Sequence, residues 1–167
     1  MRRVILLLSL VFILIFNLQA VAAQGQAFSI EADGYVIFDE ASNLIKAQDN
    51  VVIKSGKDKI KADYVVANLA KKEITAQNNV VLIQDRQSIA GDKLKYNYKE
   101  KKGKFYNAEA NEQGAHFEGG IININNQELL VEDSALTYCQ YDHPHYEIKA
   151  EQIEVTEEGK IIATGVE

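Results

Sequence analysis

The chain repeats itself, and that limits its possible folds more than any other feature. Shifted by 29 residues, "IKAQDNVVI" (45–53) falls on "ITAQNNVVL" (74–82), and "IKADYVVAN" (60–68) falls on "IAGDKLKYN" (89–97). The second half-unit has an earlier copy, "IEADGYVIF" (30–38), and a later one, "IKAEQIEVT" (148–156). Successive copies start 30, 29 and 59 residues apart, close to one, one and two periods. Such a period marks a structure made by stacking one small unit, in which each copy contacts chiefly its neighbours.

Within each unit apolar and polar residues alternate: Ile45, Ala47, then Val51 and Ile53; Ile60, Ala62, then Val65. A period of two predicts strands with one buried face. The phase breaks beside "QDNV" and "QNNV" and after the "AD" or "GD" pairs, where Asn, Asp and Gly supply turns or bulges. Polar links such as "SGKDK", "NLAKK" and "KEKKGK" read as hairpin turns. No segment after the first two dozen residues has a capped helical period. The expected fold class is all-β: an elongated repeat stack of antiparallel strands. A closed barrel or flat sandwich could use the same unit, but the near-constant period favours the stack. Roughly ten strands spaced about 4.8 Å apart would make it on the order of 48 Å long. Its end strands would expose unpaired backbone, a template for strands of other chains.

The N-terminus carries Arg2 and Arg3, an apolar run from Val4 to Phe16, and then small residues through "AVAA". This is the layout of a secretory signal peptide, predicted over residues 1–23, with one domain over 24–167. Cleavage after Ala22 or Ala23 fits equally, and no cysteine follows to carry a lipid anchor. The apolar run is short of the roughly 20 residues a spanning helix needs, so a soluble, exported protein is expected, in the periplasm and possibly associated with the outer membrane. After cleavage 16 basic residues face 24 acidic ones. That balance gains nothing from phosphate counterion release, so nucleic acid is not an expected partner. A single cysteine leaves the core to apolar burial, without an internal disulfide.

These repeats, together with "FEGGIININNQELLVEDSALTYCQYDHPHYEIKAEQIEV" (117–155), resemble the OstA/LptA-type lipopolysaccharide transport family. The later passage is more similar to the end of the periplasmic N-terminal domain of LptD. The positions that carry the likeness are Thr137, Cys139, Tyr146, Ile148, Ala150, Ile153 and Val155. LptD continues into a membrane barrel, whereas this sequence stops at Glu167, so the expectation is an LptA-like bridge or an LptD-like periplasmic piece. The resemblance implies a folded, taco-like β-jellyroll that shields lipopolysaccharide acyl chains and joins other Lpt-type proteins through strand edges, with head-to-tail self-association. In the LptD-like case it implies that Cys139 would be a redox partner for a barrel cysteine, which this sequence lacks, so that Cys139 is expected as a buried remnant or an intermolecular thiol.

Residue chemistry agrees with an apolar cargo. At about 0.8 kcal/mol per buried CH₂, a dozen-carbon chain gains on the order of 10 kcal/mol gross on burial. The candidate groove lining is Ile45, Val51, Ile53, Ile60, Val65, Ile74, Val80, Leu82, Ile89 and Leu94. Alternation alone does not separate such a groove from a closed core. A core filled by Tyr96, Tyr98, Phe105 and Phe117 would instead suit a periplasmic scaffold that binds only protein. Cys139, His143 and His145 are too few and too irregularly spaced around Pro144 for a zinc site, so no metal or cofactor is expected. The bland reading of that corner is a turn fixed by Pro144 with Tyr146 packed. "SGKDKIK" (55–61) lacks the glycine spacing of a phosphate loop, and "KEKKGK" (99–104) reads as a solvated turn able to touch lipid phosphates. No constellation for nucleophilic or acid–base catalysis is present, and an enzyme is not expected.

Overall fold

The computed structural model describes residues 28–84, 87–112, 114–139 and 144–167. The predicted signal peptide and His143 lie outside the described residues. Eleven strands follow in order: β1 (Phe28–Glu31), β2 (Tyr35–Asp39), β3 (Leu44–Ser55), β4 (Asp58–Asn68), β5 (Glu73–Gln84), β6 (Gln87–Asn97), β7 (Lys102–Glu112), β8 (Ala115–Asn125), β9 (Glu128–Thr137), β10 (Ile148–Val155) and β11 (Ile161–Val166). From β2 onward each strand pairs antiparallel with its sequence neighbours in one open sheet, and β1 skips β2 to pair with β3, so that β1 and β2 together form the first edge on opposite halves of β3. The expected all-β stack is what the chain builds, and the links at 55–58, 68–73 and 97–102 are its turns.

Each long strand is interrupted halfway, as the phase breaks predict. Register shifts fall between Gln48 and Val51, Lys61 and Tyr64, and Gln77 and Val80. The left-handed residues at this row are Asp49, Asn50, Asn78, Asn79, Asn107, Asp133 and Gly165. Asn, Asp and Gly tolerate that conformation, whereas a β-branched residue strains in it. Across the row Asn50 donates to Asp33 at 2.8 Å, Asn79 to Asp63 at 2.7 Å and Asn107 to Asp92 at 2.9 Å. This ladder follows the sequence period, which explains why the "AD" and "(N/D)N" dipeptides recur.

The row is a crease that divides the sheet into two leaves. One leaf ends where β3 gives way to β4, β5 to β6 and β7 to β8, the other where β2 gives way to β3, β4 to β5, β6 to β7 and β8 to β9. Side chains from opposite ends touch: Asp58 at the start of β4 meets Tyr96 at the end of β6, and Phe28 at the start of β1 stacks on Tyr98 beyond the end of β6 at 4.8 Å between centroids. The leaves therefore face each other as a V closed at its mouth. Between them lies a continuous apolar spine that includes Ile53, Val65, Leu82, Leu94, Phe105, Phe117, Ile122 and Val131, all at most 1% exposed. At the crease neighbouring strands come too close for some side chains: a Cβ on Gly91 would stand 2.9 Å from the Asn107 carbonyl oxygen on β7, and one on Gly119 2.9 Å from that of Glu132 on β9.

Candidate functional site

Nine of the ten candidate groove residues, Val51, Ile53, Ile60, Val65, Ile74, Val80, Leu82, Ile89 and Leu94, are buried between the leaves. The tenth, Ile45, is half-buried and packs against them from β3 near the first edge. The alternation brings them onto one face because each occupies an inward slot of its strand, and the crease keeps the inward set inward across the phase break. Tyr96, Phe105 and Phe117 are buried in the same interior, and Tyr98 packs against it. A recess of about 830 Å³ follows the crease over β6 to β10, walled by Gly91, Ala108, Gly119 and Ser134 among others, and none of the ten candidates lines it. In this state the leaves close on each other rather than on an open channel.

Polar side chains seal the mouth. The Tyr96 hydroxyl donates to Asp58 Oδ2 at 2.8 Å and accepts from Gln84 Nε2 at 2.9 Å, while Lys101 Nζ lies 3.4 Å from Asp58 Oδ1. Burial first, then the Asp58 charge, push the Tyr96 hydroxyl well above the usual tyrosine range. Farther along, Gln87 Nε2 donates to Glu112 Oε2 at 2.8 Å and to the backbone oxygen of Gln127, in the turn that ends the opposite leaf. Asp58, Gln84, Gln87 and Glu112 are each about 5% exposed. Sequence reasoning passes over them, although a signal exists: all four hold inward slots, next to turns, where the pattern calls for an apolar residue.

At the β9–β10 corner, Thr137 Oγ1 donates to the Tyr146 carbonyl at 2.8 Å and accepts from the Cys139 amide at 3.0 Å, and Cys139 Sγ lies 3.4 Å from His145 Nδ1. The corner is tied down by Thr137. Tyr146 itself is exposed, contrary to the expectation that it packs, because it precedes the first paired residue of β10. A cluster the sequence does not advertise joins Glu109, His116 and Glu118, whose ligand atoms lie within 4.8 Å of one another. Strand register creates it by setting Glu109 opposite Glu118 on β7 and β8; His116 Nε2 approaches Glu118 at 3.2 Å and Glu109 at 3.8 Å. Protonated, the imidazole would offset the repulsion between the two exposed carboxylates. Among the described residues no helix is long and apolar enough to cross a membrane.

The structure is similar to that of LptH, the LptA homologous periplasmic component of the conserved lipopolysaccharide transport device from Pseudomonas aeruginosa. The TM-score is 0.56 at 14% identity, over 82% of this chain and 93% of that one. The fold is thus the LptA-like β-jellyroll. No family model matches the chain, and no curated protein does either.

Proposed function

We propose that this chain is a periplasmic lipopolysaccharide-binding or transport protein that takes acyl chains between its leaves and contributes to a bridge toward the outer membrane. The observation that carries the reading is the apolar spine, which runs from β3 to β10 inside a fold shared with LptH. It offers long hydrocarbon chains a site that needs no specific polar contact. Edge strands supply the bridging chemistry: among the described residues, β1 and β2 at one end and β11 at the other each pair on one side only. On β2, Tyr35, Val36, Ile37 and Phe38 are all exposed, an apolar edge suited to another Lpt-type jellyroll or a second copy of this chain. Such a contact is heterologous and sets no limit at a dimer. The narrower likeness to the LptD N-terminal domain, with a redox role for Cys139, rests on the residues around "TYC" alone.

A second reading, a periplasmic scaffold with a permanently closed core, is favoured by one specific observation: Tyr96, Phe105 and Phe117 fill the interior. Photocrosslinking in cells separates the two. With a photoreactive residue at Ile53, Val65 or Leu82, and a control at Lys57 in the β3–β4 turn, the transport reading expects lipopolysaccharide adducts at the three interior sites only. Adducts with protein alone support the scaffold.

A further inference from the structure

The mouth of the V is built unlike any other part of the interior. Neighbouring strands within each leaf are joined by continuous backbone ladders, and at the crease the strands themselves pass from leaf to leaf. Across the mouth, among the described residues, no strand pairs with another. The leaves meet there through a line of side-chain contacts: Phe28 on Tyr98, then Asp58, Gln84 and Lys101 around Tyr96, then Gln87, bonded to its strand neighbour Glu112, on the Gln127 carbonyl. Beyond them the line lapses into a gap of about 80 Å³ between Glu112, Phe117 and Tyr138 on one side and Val155, Gly159 and Ile161 on the other.

This seam is costly for a permanent seal. Apolar residues in the same slots would close the leaves without desolvating polar groups, and Gln84 Oε1 and Gln87 Oε1 are buried without a partner among the described residues. A seam that opens has a different economy, because each of its groups regains water when the leaves separate. An acyl chain that arrived through either end of the stack would have to thread past Phe105 and Phe117, which are fully buried. Parting the mouth uncovers the spine along its length at once, while a polar headgroup stays outside.

We propose that the hydrogen-bonded line of Asp58, Gln84, Tyr96 and Lys101 is a latch, and that long-chain amphiphiles reach the interior sideways, by parting the mouth while the crease holds. The ligand class rests on the function proposed above; the latch itself does not. The two are tested on one preparation of the full mature chain. Hydrogen–deuterium exchange of peptides covering 58–62 and 93–98, compared with crease peptides around 76–80, reads the opening without any lipid. Stopped-flow fluorescence with cis-parinaric acid, a fatty-acid probe, reads admission.

Tyr96→Phe removes the hydroxyl that joins Asp58 to Gln84. Exchange at the mouth peptides should then rise on the order of fivefold, the effect of one net hydrogen bond, with the crease unchanged. Probe uptake should accelerate by a similar factor. Asp58→Asn, which keeps the hydrogen-bonding shape and loses the charge facing Lys101, should show a smaller change in the same direction, and it serves if Tyr96→Phe folds poorly. Exchange that is unchanged at the mouth, or raised equally at mouth and crease, overturns the latch. Faster exchange with unchanged uptake overturns sideways admission. Faster exchange with no uptake by wild type or variant leaves the latch standing and overturns the reading of the interior as an acyl site.

Discussion

At the crease the two leaves are joined by the backbone of each long strand and shaped by left-handed Asn, Asp and Gly, whereas at the mouth they are held by side chains reaching across a line where, among the described residues, no strands pair. The crease is a matter of local conformation. Its residues need only their own φ and a short partner on the next strand, as Asn79 has in Asp63. The mouth is tertiary: Asp58 and Tyr96 are separated by 38 residues, and Gln87 and Gln127 by 40. A hinge of the first kind resists change everywhere along its length, and a seam of the second kind yields contact by contact.

Changes at the crease should therefore cost most and act on the whole molecule. Replacing Asn78 and Asn79 together by Val places β-branched residues at φ of 62° and 51°, and should lower the unfolding free energy by roughly 3 kcal/mol in urea titrations. The Gly–Gly double replacement, which allows that conformation, should cost clearly less. Gly119→Ala comes next, at about 2 kcal/mol, because the added methyl meets Val131 and the Glu132 carbonyl in a closely packed row. Both effects should appear as a shifted midpoint with the slope kept.

Changes at the mouth should cost less and show a local signature. Tyr96→Phe leaves buried groups of Gln84 and Asp58 without their partner and should cost about 1.5 kcal/mol. The same hydroxyl gives a pH test. Burial and the Asp58 charge raise its pKa above the ordinary value of 10.0, so the folded state holds the phenolic proton more tightly than the unfolded chain does. The associated stability is complete below pH 10 and is lost as the pH rises beyond it. Above pH 10 the wild type should lose stability faster than Tyr96→Phe, by at most about 1.4 kcal/mol per pH unit. Equal slopes would remove Tyr96 from the seam. Lys101→Ala should have the smallest effect, about 0.5 kcal/mol or less, since the lysine side chain is 38% exposed and its ion pair with Asp58 is long.

The same contrast explains what the sequence made legible. Strand phase, turns and crease are written locally: "AQDNV" and "AQNNV" break the alternation where the strands bend, and the inward set from Val51 to Leu94 follows from counting by two. Whether those side chains face a channel or each other depends on how far the leaves close, and alternation carries no information about that angle. The mouth was illegible for a related reason: Asp58 and Gln84 beside turns look like ordinary solvated hairpin residues until the opposite leaf covers them. The Glu109, His116 and Glu118 cluster needed the β7–β8 register, which depends on the length of the turn between them.

On the function proposed above, two leaves hinged on a stiff crease part at the mouth to take acyl chains. Pulsed electron paramagnetic resonance reads that opening, with spin labels at Lys59 on one leaf and Lys95 on the other, in a Cys139→Ser background. A second pair, Lys59 and His116, lies within one leaf as a control. With purified lipopolysaccharide, the cross-mouth pair should gain a longer distance while the control pair keeps its own. An unchanged cross-mouth distance in protein saturated with lipopolysaccharide would mean that the leaves do not part to take acyl chains.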